Sequence, residues 1–221
     1  MDSFRKTSLV AGVIYVITFV SIPTLTLYTS IHNPNFILGD GPDYNVIIGS
    51  ILEIIVGLAG VGSAVVLYPV LKKQNQSMAL GLVGARIIEA GTIFAGVASL
   101  ITVVSLRQSG IGDDGSIVAR ALVTLYDRFF LIGQSLMPVF DDLLLGFLLF
   151  HSRLVPRGLA LLGILGAPLL LTSDIAVLFG FLGQREPLAM MSAIPVALFE
   201  ISFGILLIVR GFNKSHALPK V

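Results

Sequence analysis

Residues 79–104 read ALGLVGARIIEAGTIFAGVASLITVV, and only Arg86 and Glu89 in that run carry charge. A bilayer core takes about 20 apolar residues per helix, so the stretch reads as a membrane span that carries an ion pair of its own. Five more apolar runs of similar character follow from the same criterion, at 9–28, 46–71, 130–150, 159–182 and 189–209. The chain has 221 residues, 55% hydrophobic and 12% charged, with a mean hydropathy of +0.95. Soluble domains carry about 25% charged residues, which excludes an ordinary globular enzyme. Six spans with short connections use nearly the whole length. The reading is an all-α, polytopic bundle of six transmembrane helices, one membrane domain over residues 1–221, resident in the cell membrane with the lipid bilayer as its first partner.

Composition closes several other routes. With no cysteine, disulfides and thiolate metal sites are excluded. A formal net charge of +1 gives no case for nucleic acid. All three histidines, His32, His151 and His216, fall in connections or tails, so no metal cluster is expected within the membrane. No nucleotide-binding or hydrolase motif is present, and no cofactor is expected. Arg5 and Lys6 precede an apolar run too long for a signal-peptide core, without a small-residue cleavage site after it, so it reads as a first span.

The charges outside the spans are unevenly shared. Connections on one side hold Arg5, Lys6, Lys72, Lys73, Arg153, Arg157, Arg210, Lys214 and Lys220, nine of the fourteen basic residues. The other side mixes Arg107, Arg120, Arg128 and Arg185 with Asp40, Asp43, Asp113, Asp114, Asp127 and Glu186. The positive-inside rule then puts both termini in the cytoplasm. Tyr28, Tyr44, Tyr68 and Tyr126 fall near span ends, as interfacial anchors should. Segment 117–129 is amphipathic, and Gly133 and Pro138 should interrupt any helix continuing from it. An interfacial helix leading into the fourth span is expected there.

Six carboxylates lie inside the spans: Glu53, Glu89, Asp141, Asp142, Asp174 and Glu200. A charge at the bilayer centre costs roughly 2.5–3.5 kcal/mol on the mildest scale. Such groups persist where they pair, titrate or line a polar cavity. At about 1.5 Å per residue, Glu200 (ten residues before Arg210), Asp142 (eleven before Arg153) and Arg86 with Glu89 (nine and twelve after Ser77) share one depth. Arg86, Glu89, Asp141, Asp142 and Glu200 therefore form one expected layer, the candidate proton- or ligand-binding site. Glu200, Asp142 and Glu89 are the candidates for any catalytic acid or base. One cation against four carboxylates leaves some acids protonated, or a cation or water among them. Asp141 and Asp142, about 100° apart on a helix, should point to different neighbours. Glu53 and Asp174, in the outer half, are secondary candidates that long side chains would let reach the headgroups. Pro138, Pro168 and Pro195 precede Asp142, Asp174 and Glu200 by four to six residues. They are expected to free backbone carbonyls near the acids. Glu53 and Gly57, Asp142 and Gly146, and Glu200 and Gly204 repeat an acid-x-x-x-glycine spacing.

Four stretches together carry a resemblance: Arg5-Lys-Thr-Ser-Leu-Val-Ala-Gly-Val-Ile-Tyr15, Arg86-Ile-Ile-Glu-Ala90, Ser152-Arg-Leu-Val-Pro-Arg157 with Gly163-Ile-Leu-Gly-Ala167, and Pro195-Val-Ala-Leu-Phe-Glu200 running to Phe212. With Tyr126-Asp-Arg-Phe-Phe-Leu-Ile-Gly133, they resemble the bacterial integral-membrane family called domain of unknown function 4386. Gln134 stands where that pattern has proline, and the Asp141–Asp142 pair is not a feature of it. The resemblance implies six membrane helices and supports Arg86, Glu89 and Glu200 as shared features, without implying an activity. Three functional classes stay open. The first is a proton- or cation-linked permease for a small solute, the second an intramembrane acid–base enzyme on a lipophilic substrate. The third is a structural or regulatory membrane subunit, and a homo-oligomer fits any of them.

Overall fold

The computed structural model describes residues 3–39 and 43–213; Asp40, Lys214, His216 and Lys220 lie outside the described residues. Among the described residues the chain is helical throughout, with no strand. The helices are α1 (Ser3–Ile17), α2 (Thr24–Leu27), α3 (Tyr44–Leu71), α4 (Gln76–Gln108), α5 (Ser116–Phe130), α6 (Met137–Ser152), α7 (Arg157–Leu178), α8 (Pro187–Ser192) and α9 (Ile194–Val209). Six helical stretches are long and apolar enough to cross a membrane: Phe4–Leu27, Tyr44–Leu71, Gln76–Gln108, Gly112–Ser152, Arg157–Leu178 and Pro187–Val209. Large apolar side chains on the outside are exposed, Leu58 at 61% and Leu165 at 68% among them. That surface suits lipid, where apolar exposure carries no penalty.

Local chemistry sets the turns. Asn75 caps α4 by accepting a hydrogen bond from the Met78 N–H at 3.0 Å, so α3 and α4 form a tight antiparallel hairpin. Arg153 ends α6 with a φ of 55°, a left-handed cap normally given to glycine or asparagine. Arg5 donates to the Leu207, Ile208 and Val209 carbonyls and so caps the C-terminus of α9. The Arg-rich end of the bundle is called the basic end below. At the opposite end Asp127 is held by His32 at 3.1 Å and Arg185 at 3.2 Å, which tie the loops before α3 and α8 onto α5.

Glycines mark the helix crossings, since in lipid close backbone approach substitutes for a hydrophobic driving force. At the α1–α9 crossing a Cβ on Gly12 would lie 2.6 Å from the Gly204 carbonyl oxygen and 2.9 Å from the Ile208 nitrogen. Both are backbone atoms and neither can rotate away. Gly12→Ala should therefore cost about 1–3 kcal/mol, read as a lower melting temperature in detergent. Gly84→Ala, where a Cβ meets nothing within 4 Å, should not lower it.

Three sequence expectations are corrected. The fourth span is not interrupted at Gly133 and Pro138. α5 runs through a π-helical turn, Leu131–Leu136, directly into α6. Pro138, which has no N–H to donate, directly follows the π-helical turn, where the backbone hydrogen-bond pattern already changes. Pro195 opens α9, whereas Pro138 and Pro168 lie inside continuous helical stretches. Finally, Tyr28 and Tyr126 are buried at 4% and 3% and stack edge-on at 5.4 Å instead of standing in a headgroup belt.

The core is divided. One apolar cluster fills the basic half around Leu67, Leu82, Leu145, Leu149, Phe203 and Leu207. Another fills the opposite half around Tyr28, Val46, Leu100, Val103 and Tyr126. The buried charges lie between the two.

Candidate functional site

Arg86 organises the layer. α4 carries it one turn before Glu89, α6 brings Asp141 and Asp142, α9 brings Glu200, and α1 brings Tyr15. Arg86 is 3% exposed. Its Nη1 donates to Glu89 Oε2 at 2.9 Å, and its Nη2 donates to Glu200 Oε1 at 2.5 Å and to the Tyr15 hydroxyl at 3.4 Å. Its Nε stands 3.3 Å from Asp141 Oδ2, an ion-pair contact without hydrogen-bond alignment. The guanidinium also lies 5.6 Å from the centre of the Tyr15 ring, in cation–π range. One cation thus joins α1, α4, α6 and α9.

Helix geometry explains the convergence. Glu89 follows Arg86 by three residues and faces the same way. Gly60 of α3 faces the pair, the position of its Cβ lying at van der Waals distance, 3.5 Å, from Glu89 Oε2. Asp141 and Asp142 differ in direction, as consecutive residues must, yet both are 0% exposed because α6 is enclosed by neighbours on both sides. Asp141 turns to Arg86. Asp142 has Glu200, Arg86, Asp141 and Glu89 as its charged neighbours. Neither Asp142 oxygen has a hydrogen-bond partner among the described residues. Glu200 retains the most access, with 14% of its side chain exposed.

The outer acids behave differently from a headgroup-seeking pair. Glu53 is 0% exposed and accepts from the Tyr126 hydroxyl at 2.6 Å and from Gln134 Nε2 at 3.3 Å. Asp174, 3% exposed, accepts from Ser135 Oγ at 2.7 Å. Tyr126 comes from α5, and Gln134 and Ser135 from the π-helical turn just after it, a feature frequent at functional sites. Its consecutive residues Gln134 and Ser135 reach two different helices, α3 and α7. Gly133 of the same turn packs on Thr92, where an added Cβ would lie 2.9 Å from the Thr92 Cβ and 3.4 Å from the Glu89 carbonyl oxygen. The turn thus sits against the Arg86 helix while holding the two outer acids. A proline at position 134 would have no donor for Glu53. Tyr126→Phe removes the shortest bond to Glu53 and should cost about 1–3 kcal/mol in detergent unfolding, whereas Tyr44→Phe, at a 55% exposed residue, should cost nothing measurable.

Two residues of this arrangement escape a reading of spans alone. Tyr15 is one of several aromatics in an apolar run, with no local polar signal. Ser135 is a common residue in a segment expected to be a break. Two surface cavities, of about 540 Å³ and 240 Å³, open toward the ends of the bundle, and none of the layer's carboxylates lines either.

Neither the curated proteins nor the solved structures gave a significant match. The residues of the Arg86 layer, from Tyr15 to Glu200, fall within one family match over residues 10–211. By that match the chain belongs to the family described as a domain of unknown function, DUF4386, and the fold it displays is an all-helical one with six helices fit to span a membrane.

Proposed function

We propose that the protein is a small proton- or cation-linked permease of the cell membrane, with the basic end and both termini on the cytoplasmic side. Glu200 is its exchangeable proton or cation site, Asp142 and Glu89 assist it, and Arg86 is the fixed counter-charge. The observation that carries this reading is Asp142, whose two oxygens are buried beside other carboxylates without a hydrogen-bond partner among the described residues. A structural ion pair needs one carboxylate per guanidinium. Four around Arg86 leave acceptor capacity that a proton or a cation satisfies. Glu200 is the member with residual access, and it hydrogen-bonds Arg86 directly. Occupancy at Glu200 therefore competes with that bond, which couples ligand state to the α4–α9 contact.

The test uses protein reconstituted in liposomes with an internal pH-sensitive dye, exposed in turn to sodium, potassium, lithium and small organic cation gradients. At least one gradient should drive proton movement with the wild type, and Glu200→Gln should reduce that flux to the level of protein-free vesicles at an unchanged melting temperature. A wild type that never exceeds protein-free vesicles sinks the permease reading.

A further inference from the structure

The 540 Å³ cavity at the basic end is separate from the carboxylate layer. It lies between the α6–α7 turn and the end of α9, with Arg153, Arg157 and Arg210 on its walls and Leu154, Val155 and Phe212 among its apolar lining. None of the three arginines forms an ion pair among the described residues. Arg157 stands 5.0 Å from the centre of the Phe150 ring, which holds its guanidinium at the rim. Arg153 occupies a left-handed backbone position, φ 55°, that L side chains rarely adopt. Arginine there is a conformationally unfavourable choice whose return is a cation on the cavity wall.

The backbone adds to the same field. The 22-residue helix α7 begins at this cavity, and the first N–H groups of a helix lack intrahelical partners. The Leu159 and Ala160 N–H groups turn back to the Pro156 carbonyl, which leaves those of Arg157 and Gly158. Of the two residues, Arg157 lines the cavity. The carbonyls ending α9 would oppose this positive field, but Arg5 already occupies three of them.

We propose that this cavity binds a phosphate group at the membrane surface, with the arginines and the start of α7 on its oxygens and the apolar lining against the carbon skeleton attached to it. The group comes either from an anionic phospholipid headgroup or from a phosphate compound in the aqueous phase. Basic pockets between membrane helices are suited to such headgroups.

Native mass spectrometry of the full chain in detergent tests this with phosphatidylglycerol as probe and phosphatidylcholine as control. The wild type should retain phosphatidylglycerol in roughly tenfold preference or more, with the preference shrinking as ionic strength rises. Arg153→Gly combined with Arg210→Gln should abolish it while the melting temperature holds, since glycine suits the left-handed position. If the double variant melts early, Arg210→Gln alone should still cut the preference. Displacement of the lipid by excess inorganic phosphate assigns the site to phosphate compounds in general; persistence of the lipid assigns it to the headgroup. Equal retention of the two lipids by the wild type, or an undiminished preference in the folded variants, overturns the proposal.

Discussion

Arg86→Leu should be the most damaging single substitution in the bundle, costing about 3–5 kcal/mol of stability because it leaves buried charges without their partner. The guanidinium holds Glu89, Asp141 and Glu200 at 2.9, 3.3 and 2.5 Å, and the Tyr15 hydroxyl as well. Its loss strands three carboxylates brought by α4, α6 and α9 and frees the α1 contact. Unfolding in detergent, followed by circular dichroism, measures the loss directly. Arg86→Leu combined with Glu89→Gln and Glu200→Gln should recover much of it, because neutral amides need no counter-charge. Acidification should also recover part of it, since protonated carboxyls need none either. A variant that melts with the wild type would show that Arg86 contributes no net stability. Leu in place of Arg also removes the cation–π contact, so Arg86→Lys separates charge from shape. Lysine restores a point charge but not the fork that serves three acceptors at once, and an intermediate stability is expected.

Asp142→Ala should move the molecule the other way, raising stability by about 1–3 kcal/mol while abolishing cation-linked proton flux. The carboxylate is fully buried, lacks a hydrogen-bond partner among the described residues, and has Glu200, Asp141 and Glu89 as acidic neighbours. Its removal relieves desolvation and repulsion together, and alanine suits a helix interior. A residue that costs stability and serves no packing purpose is what a binding site retains. The paired measurement is a melting curve beside the liposome flux assay. Higher stability with lost flux supports the permease reading. Lower stability with intact flux would make Asp142 a structural group and remove the main support for that reading.

The two substitutions probe different properties of one layer, and their opposite signs follow from arithmetic of charge. Arg86 is shared by several acids, so each gains from it. Asp142 is the acid left over. The same imbalance is visible in the chain as one arginine among six intramembrane carboxylates, but the identity of the surplus acid is not. That depends on which side of α6 meets Arg86, and only packing of α6 against α4 and α9 decides it.

Hydropathy and helical rise alone determined the all-helical class, the number of spans, the bounds of all but the fourth within a few residues, and the common depth of Arg86, Glu89, Asp141, Asp142 and Glu200. Those properties depend on local composition and on a constant rise per residue, both readable along the chain. Tertiary structure alone decided that Tyr15 joins the layer, that Glu53 and Asp174 are buried against Tyr126 and Ser135 instead of reaching outward, and that residues 131–136 form a π-helical turn in an unbroken helix. It also decided that Arg153, Arg157 and Arg210 surround one cavity. Each of these depends on how helices rotate about their axes and which faces meet, a property of pairs of helices far apart in sequence that no single span encodes.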